Sequence, residues 1–175
     1  DGSEYDIYLQ DYGNLNYGEN FGYCNSENNN DPLNGSSYIV MDNEFEANDY
    51  YTEELGTIQL TVAHEFFHAI QRAYENICSG SDPDLWFYEM TSTWIEDVLV
   101  PDTNDYLFWE DEFFDSPNQT TNISSTDGYS IALFGHYLST IVEEEWDESN
   151  STIIKEIWED FASTGSAINS MEQVL

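Results

Sequence analysis

Acidic side chains outnumber basic ones 36 to 2 in this chain, leaving a formal net charge of −34. Carboxylates at that density repel one another, so a compact state depends on screening by salt or bound cations. Two outcomes are open: a salt-adapted globule coated with carboxylates, or a disordered acidic segment. The aromatic content favours the first, because 5 Trp, 13 Tyr and 10 Phe supply far more buriable surface than a solvated tail uses. The 175 residues are therefore expected to fold as one domain, and to need concentrated salt to do so. The same imbalance argues against nucleic acid and membrane as partners, since Arg72 and Lys155 are the only cations available to meet phosphate.

No apolar run approaches the length of a bilayer span. The sequence starts at Asp1 in a polar stretch, as a processed mature form does, so secretion to the extracellular space is expected. Asn-x-Ser/Thr sites at Asn34, Asn118, Asn122 and Asn150 permit glycosylation there. Cys24 and Cys78 lie outside any CxxC or Cys/His zinc spacing. They either remain thiols or pair to close a loop of about 54 residues, a constraint worth about 4 kcal/mol.

Residues 1–56 read as the β-rich part. Glu4 to Gln10 alternates polar with apolar, and Ser36 to Met41 is rich in strand formers. Asn25 to Gly35 is a turn-rich loop whose oxygen-bearing side chains could hold Ca²⁺, although EF-hand spacing is absent. From Thr57 to about Asn76 the period becomes helical, with Ile58, Val62, Phe66, Ala69 and Ala73 recurring at three- and four-residue steps. A second helix is expected from about Asp84 to Val100, stopped by Pro101, which makes 57–100 a pair of helices. In 101–175 Tyr106 to Phe114 carries a faint helical pattern, and clearer helices are expected at about 127–145 and 151–163. No repeat is visible, and the fold class is α+β: a small, mostly antiparallel N-terminal sheet packed on the first helix, then a helical C-terminal half.

The chemistry-bearing segment is His64-Glu65-Phe66-Phe67-His68. Four residues of helix bring both imidazoles onto one face, where they can grip one metal ion. Glu65, beside the first ligand, can reach a metal-bound water without being a ligand itself, which suits a general base. Every other position from Thr61 to Ile70 is uncharged, so this helix is expected to be buried, and buried imidazoles need partners. A catalytic zinc takes three protein ligands and keeps one position open. Glu89 lies roughly twenty residues beyond His68, enough for the helix to end and a second one to fold back against it.

Trp86-Phe87-Tyr88-Glu89-Met90-Thr91-Ser92 resembles the Trp-Leu-Asn-Glu-Gly-Phe-Ala motif of gluzincin metallopeptidases. The resemblance implies a zincin fold, with Glu89 as third zinc ligand and Glu96 as the carboxylate that supports a zinc-bound histidine. Two departures stand out: Met90 replaces the usual Gly, and Thr93 stands where thermolysin-like enzymes carry Asp. Gly128 to Leu138 loosely resembles the gluzincin aminopeptidase helix whose Tyr stabilises the oxyanion, which nominates Tyr129 for that role. His136 is a second candidate, a fourth metal contact, or a structural histidine. The segments Ser37–Asp42, Ala63–Gln71 and Trp86–Asp97 together are similar to a family of secreted bacterial and archaeal metalloproteases, the MXAN_6640 type.

The expected activity is therefore that of a monomeric zinc endopeptidase, with a peptide or protein as substrate and Glu65 as general base. Substrate would extend along an edge strand at Tyr38 to Met41, and the negative surface would favour neutral or basic peptides. A zinc aminopeptidase is disfavoured by the lack of a Gly-x-Met-Glu-Asn-type motif. The competing class is a salt-adapted, non-catalytic cation-binding module.

Overall fold

The computed structural model describes residues 4–11, 22–26, 36–43, 52, 55–74, 82–115 and 126–175. They form an α+β unit in which a three-stranded sheet meets a mostly helical remainder. Strands β1 (Ile7–Gln10), β2 (Gly22–Ser26) and β3 (Ser37–Asp42) are ordered β1-β3-β2. β3 pairs parallel with β1, Ile7 opposite Ile39, and antiparallel with β2, Gly22 opposite Met41.

This corrects two expectations. The sheet is half parallel, and β3 is its central strand, so Tyr38 to Met41 offers no open edge. β3 buries Ile39, Val40 and Met41 and has both edges paired, as a central strand does. Asn25 and Ser26, expected in the loop, belong to β2. β1 is exposed throughout despite its alternation. Helix α1 (Leu55–Tyr74) packs on β2 and β3, and one helix about 10–12 Å across covers about two strands at 4.8 Å spacing.

Helix α2 (Leu85–Leu99) lies against α1. Trp86, Phe87, Tyr88, Met90, Thr91, Ser92, Thr93 and Trp94 are all buried, as expected of a helix enclosed on most of its circumference. Val100 caps it, and Pro101 follows. The Tyr106–Phe114 segment is a 3₁₀ turn, Asp105–Trp109, running into α3 (Glu110–Asp115). The helix expected over 127–145 is broken into α4 (Thr126–Ser130), α5 (Ala132–His136) and a π-helical segment, Tyr137–Val142. After a 3₁₀ turn at Glu148–Asn150 come α6 (Ile153–Thr164) and α7 (Ala167–Val174), the last of which the sequence reading did not anticipate.

The core is aromatic. Phe87 stacks on Trp158 at 4.6 Å between ring centroids, and Tyr88 and Phe161 meet the same indole edge-on. Trp158 Nε1 donates to Thr91 Oγ1 at 3.3 Å, so the one polar atom of that ring is satisfied inside the core. The backbone amide of Ala167 donates to Asp84 Oδ1 at 3.3 Å, tying the start of α7 to the start of α2. Among the described residues no helix is long and apolar enough to cross a membrane. Cys78, the glycosylation sites at Asn34, Asn118 and Asn122, and the Ca²⁺ loop beyond Ser26 lie outside the described residues. Asn150 is described and exposed.

Candidate metal centre

α1 carries His64 and His68 one helical turn apart on the face turned toward α2. Their Nε2 atoms stand 3.1 Å from each other. From α2, Glu89 brings Oε2 to 3.2 Å from His64 Nε2 and 3.5 Å from His68 Nε2. Among the described residues these three form the group able to hold a metal, their donor atoms all within 4.8 Å of one another. Donors around a tetrahedral zinc at 2.0–2.1 Å stand about 3.3 Å apart, so the spacing fits that ion.

The other ring nitrogens are also held. His64 Nδ1 bonds Glu96 Oε1 at 2.5 Å, and His68 Nδ1 bonds Gln71 Oε1 at 2.7 Å. An Nδ1–H donated to each of these oxygens would leave both Nε2 lone pairs facing the site, the tautomer that a metal requires. Gln71 is fully buried, and its amide donates to Tyr88 O at 2.9 Å, Thr91 Oγ1 at 3.0 Å and Ser92 Oγ at 3.1 Å. One side chain therefore orients a candidate ligand and locks α1 to α2. Sequence reasoning missed it, although an amide three residues after a candidate ligand, on the buried face of the helix, was a usable signal.

Glu65 is buried beside the donors, and its Oε2 has no hydrogen-bond partner among the described residues. A buried carboxylate oxygen left bare costs free energy on the order of 1–3 kcal/mol, the kind of feature that marks a working site. Electrostatics tell the same story. Burial disfavours the His64 imidazolium, but hydrogen bonds to Glu89 and Glu96 and the charge of Glu65 outweigh it, and its pKa sits well above the ordinary value. Burial would raise Glu89, yet its bonds to both histidines hold it well below the usual carboxylate range. Burial pushes Glu96 up. Three carboxylates around two imidazoles are a charge pattern that a divalent cation would satisfy.

Tyr129 reaches the site from α4. Its ring stacks on His64 at 5.6 Å and on Trp109 at 5.4 Å. Burial, together with the charges of the nearby Glu89 and Glu65, raises the pKa of its hydroxyl well above the ordinary phenol value. The approach of α4 depends on Gly128. A Cβ at that position would overlap Glu89 Cβ and come within 2.7 Å of the Trp86 carbonyl oxygen. Gly128→Ala is thus expected to push α4 from α2 and shift Glu89, at a cost of about 1–3 kcal/mol in stability and roughly tenfold in zinc affinity. Zinc titration against a competing chelator checks this; unchanged affinity would show that α4 does not set the position of Glu89.

His136 does not join the centre, which corrects its candidacy as a metal contact. Its Nδ1 lies 2.9 Å from both carboxylate oxygens of Glu148, and Tyr106 packs on its ring at 4.5 Å. Glu148 also accepts from Ser139 Oγ at 2.6 Å and Trp94 Nε1 at 2.9 Å. Burial opposes the Glu148 charge, but these bonds win and lower its pKa. The cluster knits α2, α5 and the following turn together, the structural role considered for His136. Met90, in place of the gluzincin Gly, is fully buried in the aromatic core, and Thr93 is buried as well.

A cavity of about 230 Å³ opens onto His64, Glu65, His68, Glu89 and Tyr129, with β2 along one wall. A larger one of about 270 Å³ between α1, α2 and α6 is mostly apolar and contains none of the donors. Comparison with protein families, curated proteins and solved structures found no match to this chain.

Proposed function

We propose that the chain is a zinc-dependent endopeptidase of the zincin type, acting outside the cell and holding its metal on His64, His68 and Glu89. The observation that carries this reading is the convergence of those three donors beside Glu65, whose buried Oε2 lacks a partner. When bound, zinc would lower the pKa of a coordinated water to about 7 and polarise the carbonyl to be cleaved. Glu65 accepts the proton of the attacking water and returns it to the departing amine. Glu96 and Gln71 fix the two imidazoles from behind. Tyr129, which lines the same cavity and stacks on His64, is the donor assigned to the developing oxyanion. The substrate is placed along β2, which borders the cavity, rather than along β3, which is central in the sheet.

The test is metal removal in molar salt. Chelated protein is expected to lose casein cleavage, and one added zinc per chain, counted by mass spectrometry, is expected to restore it. Zinc binding without any cleavage of casein or mixed peptides would leave a cation-binding module instead.

A further inference from the structure

Tyr129 rides on α4, a helix of five residues, yet its ring is held at two places. It stacks on His64 with 20° between the planes and on Trp109 with 29°. Trp109 closes the 3₁₀ turn Asp105–Trp109. Residues three apart eclipse one another in such a turn, so Tyr106 and Trp109 leave it on the same side. The first packs on His136 of α5 and the second on Tyr129 of α4. The turn is fastened at its start. Thr103 donates to the Val100 carbonyl from its amide at 3.1 Å and from Oγ1 at 2.7 Å, and buried Asp105 accepts from Thr52 Oγ1. His136, on which Tyr106 rests, is tied to Glu148 at 2.9 Å.

Resting on the peptidase reading above, we propose that Trp109 is a positioning residue: it holds the Tyr129 ring against His64 and so keeps the phenol hydroxyl where the oxyanion develops. Tyr129 lines the cavity of the site and Trp109 does not, so whatever Trp109 does for the reaction passes through that ring. Gly128 lets the backbone of α4 approach α2 closely, but the tyrosine side chain keeps two torsions, the second of them broad. A flat indole face narrows both. One stacked aromatic pair shifts a population by a factor of about 2–10, enough to decide between a docked ring and a rotated one. The stake is large, because a donor serves the oxyanion at about 2.7–3.1 Å and a displacement of about 1 Å costs on the order of a hundredfold.

The experiment is run on the zinc-loaded protein in molar NaCl. Trp109→Leu is expected to lower kcat for peptide cleavage about tenfold, with KM and zinc affinity within about twofold of the parent. Trp109→Phe restores a ring face and with it most of kcat. In Tyr129→Phe protein, where the hydroxyl is already gone, adding Trp109→Leu is expected to cost no further activity. Equal losses in both backgrounds would overturn the proposal, because Trp109 would then act on stability or on the metal rather than on Tyr129. A second readout needs no turnover. The chain has three histidines, so its imidazole proton spectrum contains three sets of lines. Those of His64 feel the ring current of Tyr129, and Trp109→Leu is expected to move them toward their positions in Tyr129→Leu protein. His64 lines that stay in place in both Trp109→Leu and Trp109→Gln also overturn the proposal, whatever the activity does. Parent protein that cleaves nothing, with His64 lines that do move in these variants, removes the peptidase reading and leaves Trp109 as the residue that places Tyr129.

Discussion

Glu65→Gln is expected to keep its zinc, keep its fold and lose roughly a thousand-fold in peptide cleavage. The amide has the shape of the carboxylate but cannot accept the proton of the attacking water, and general-base catalysis contributes about 10²–10⁴ in rate. Affinity for zinc should stay within a few fold, since Glu65 is not among the converging donors. Stability of the metal-free protein should hold or rise, because a buried charge that repels Glu96 is removed. Peptide cleavage kinetics with zinc stoichiometry and a melting curve on the same sample read all three. Activity within tenfold of the parent would take Glu65 out of the reaction.

The second large effect separates the two glutamates of α2. Glu89→Ala removes one of three converging donors, and stoichiometric zinc at micromolar concentration is expected to disappear along with activity. Glu96→Ala deletes only the acceptor of His64 Nδ1, so zinc should remain with affinity reduced about 10–100-fold. Zinc competition titrations on both variants decide. If Glu96→Ala loses the metal and Glu89→Ala keeps it, the roles are exchanged.

The site was legible to the extent that it is local. His64, Glu65 and His68 are fixed relative to one another by helix geometry alone; the burial expected from the uncharged residues around them holds at Ala63, His64 and Glu65 but not at Phe66 and Ile70, which are exposed. Glu89 and Glu96 are seven residues apart on α2, so one register placed both. Gln71 was legible only as an amide one turn beyond His68, because its value lies in what faces it, the Tyr88 carbonyl and two hydroxyls of another helix. The β3 run was visible, but its neighbours were not: strand pairing is tertiary, and alternation within a segment says nothing of which chain lies alongside. α7 was missed although its punctuation was present. Gly165 at φ 62° ends α6, and the Ser166 side chain accepts from the Asn169 amide at the start of α7. Buried positions at Ala167, Ser170 and Met171 make too thin an apolar stripe to signal a helix by period.

The placement of the two cations also governs how the protein itself can be digested. A protease that cuts after lysine or arginine can address only the bonds following Arg72 and Lys155. The first lies in the last turn of α1 and the second in the first turn of α6, and a helix must open before its backbone can enter a protease cleft. Limited trypsin digestion therefore becomes a two-channel gauge of local unfolding, one fragment pattern for each helix. In surroundings rich in such proteases, the persistence of the chain is set by how seldom those two turns fray.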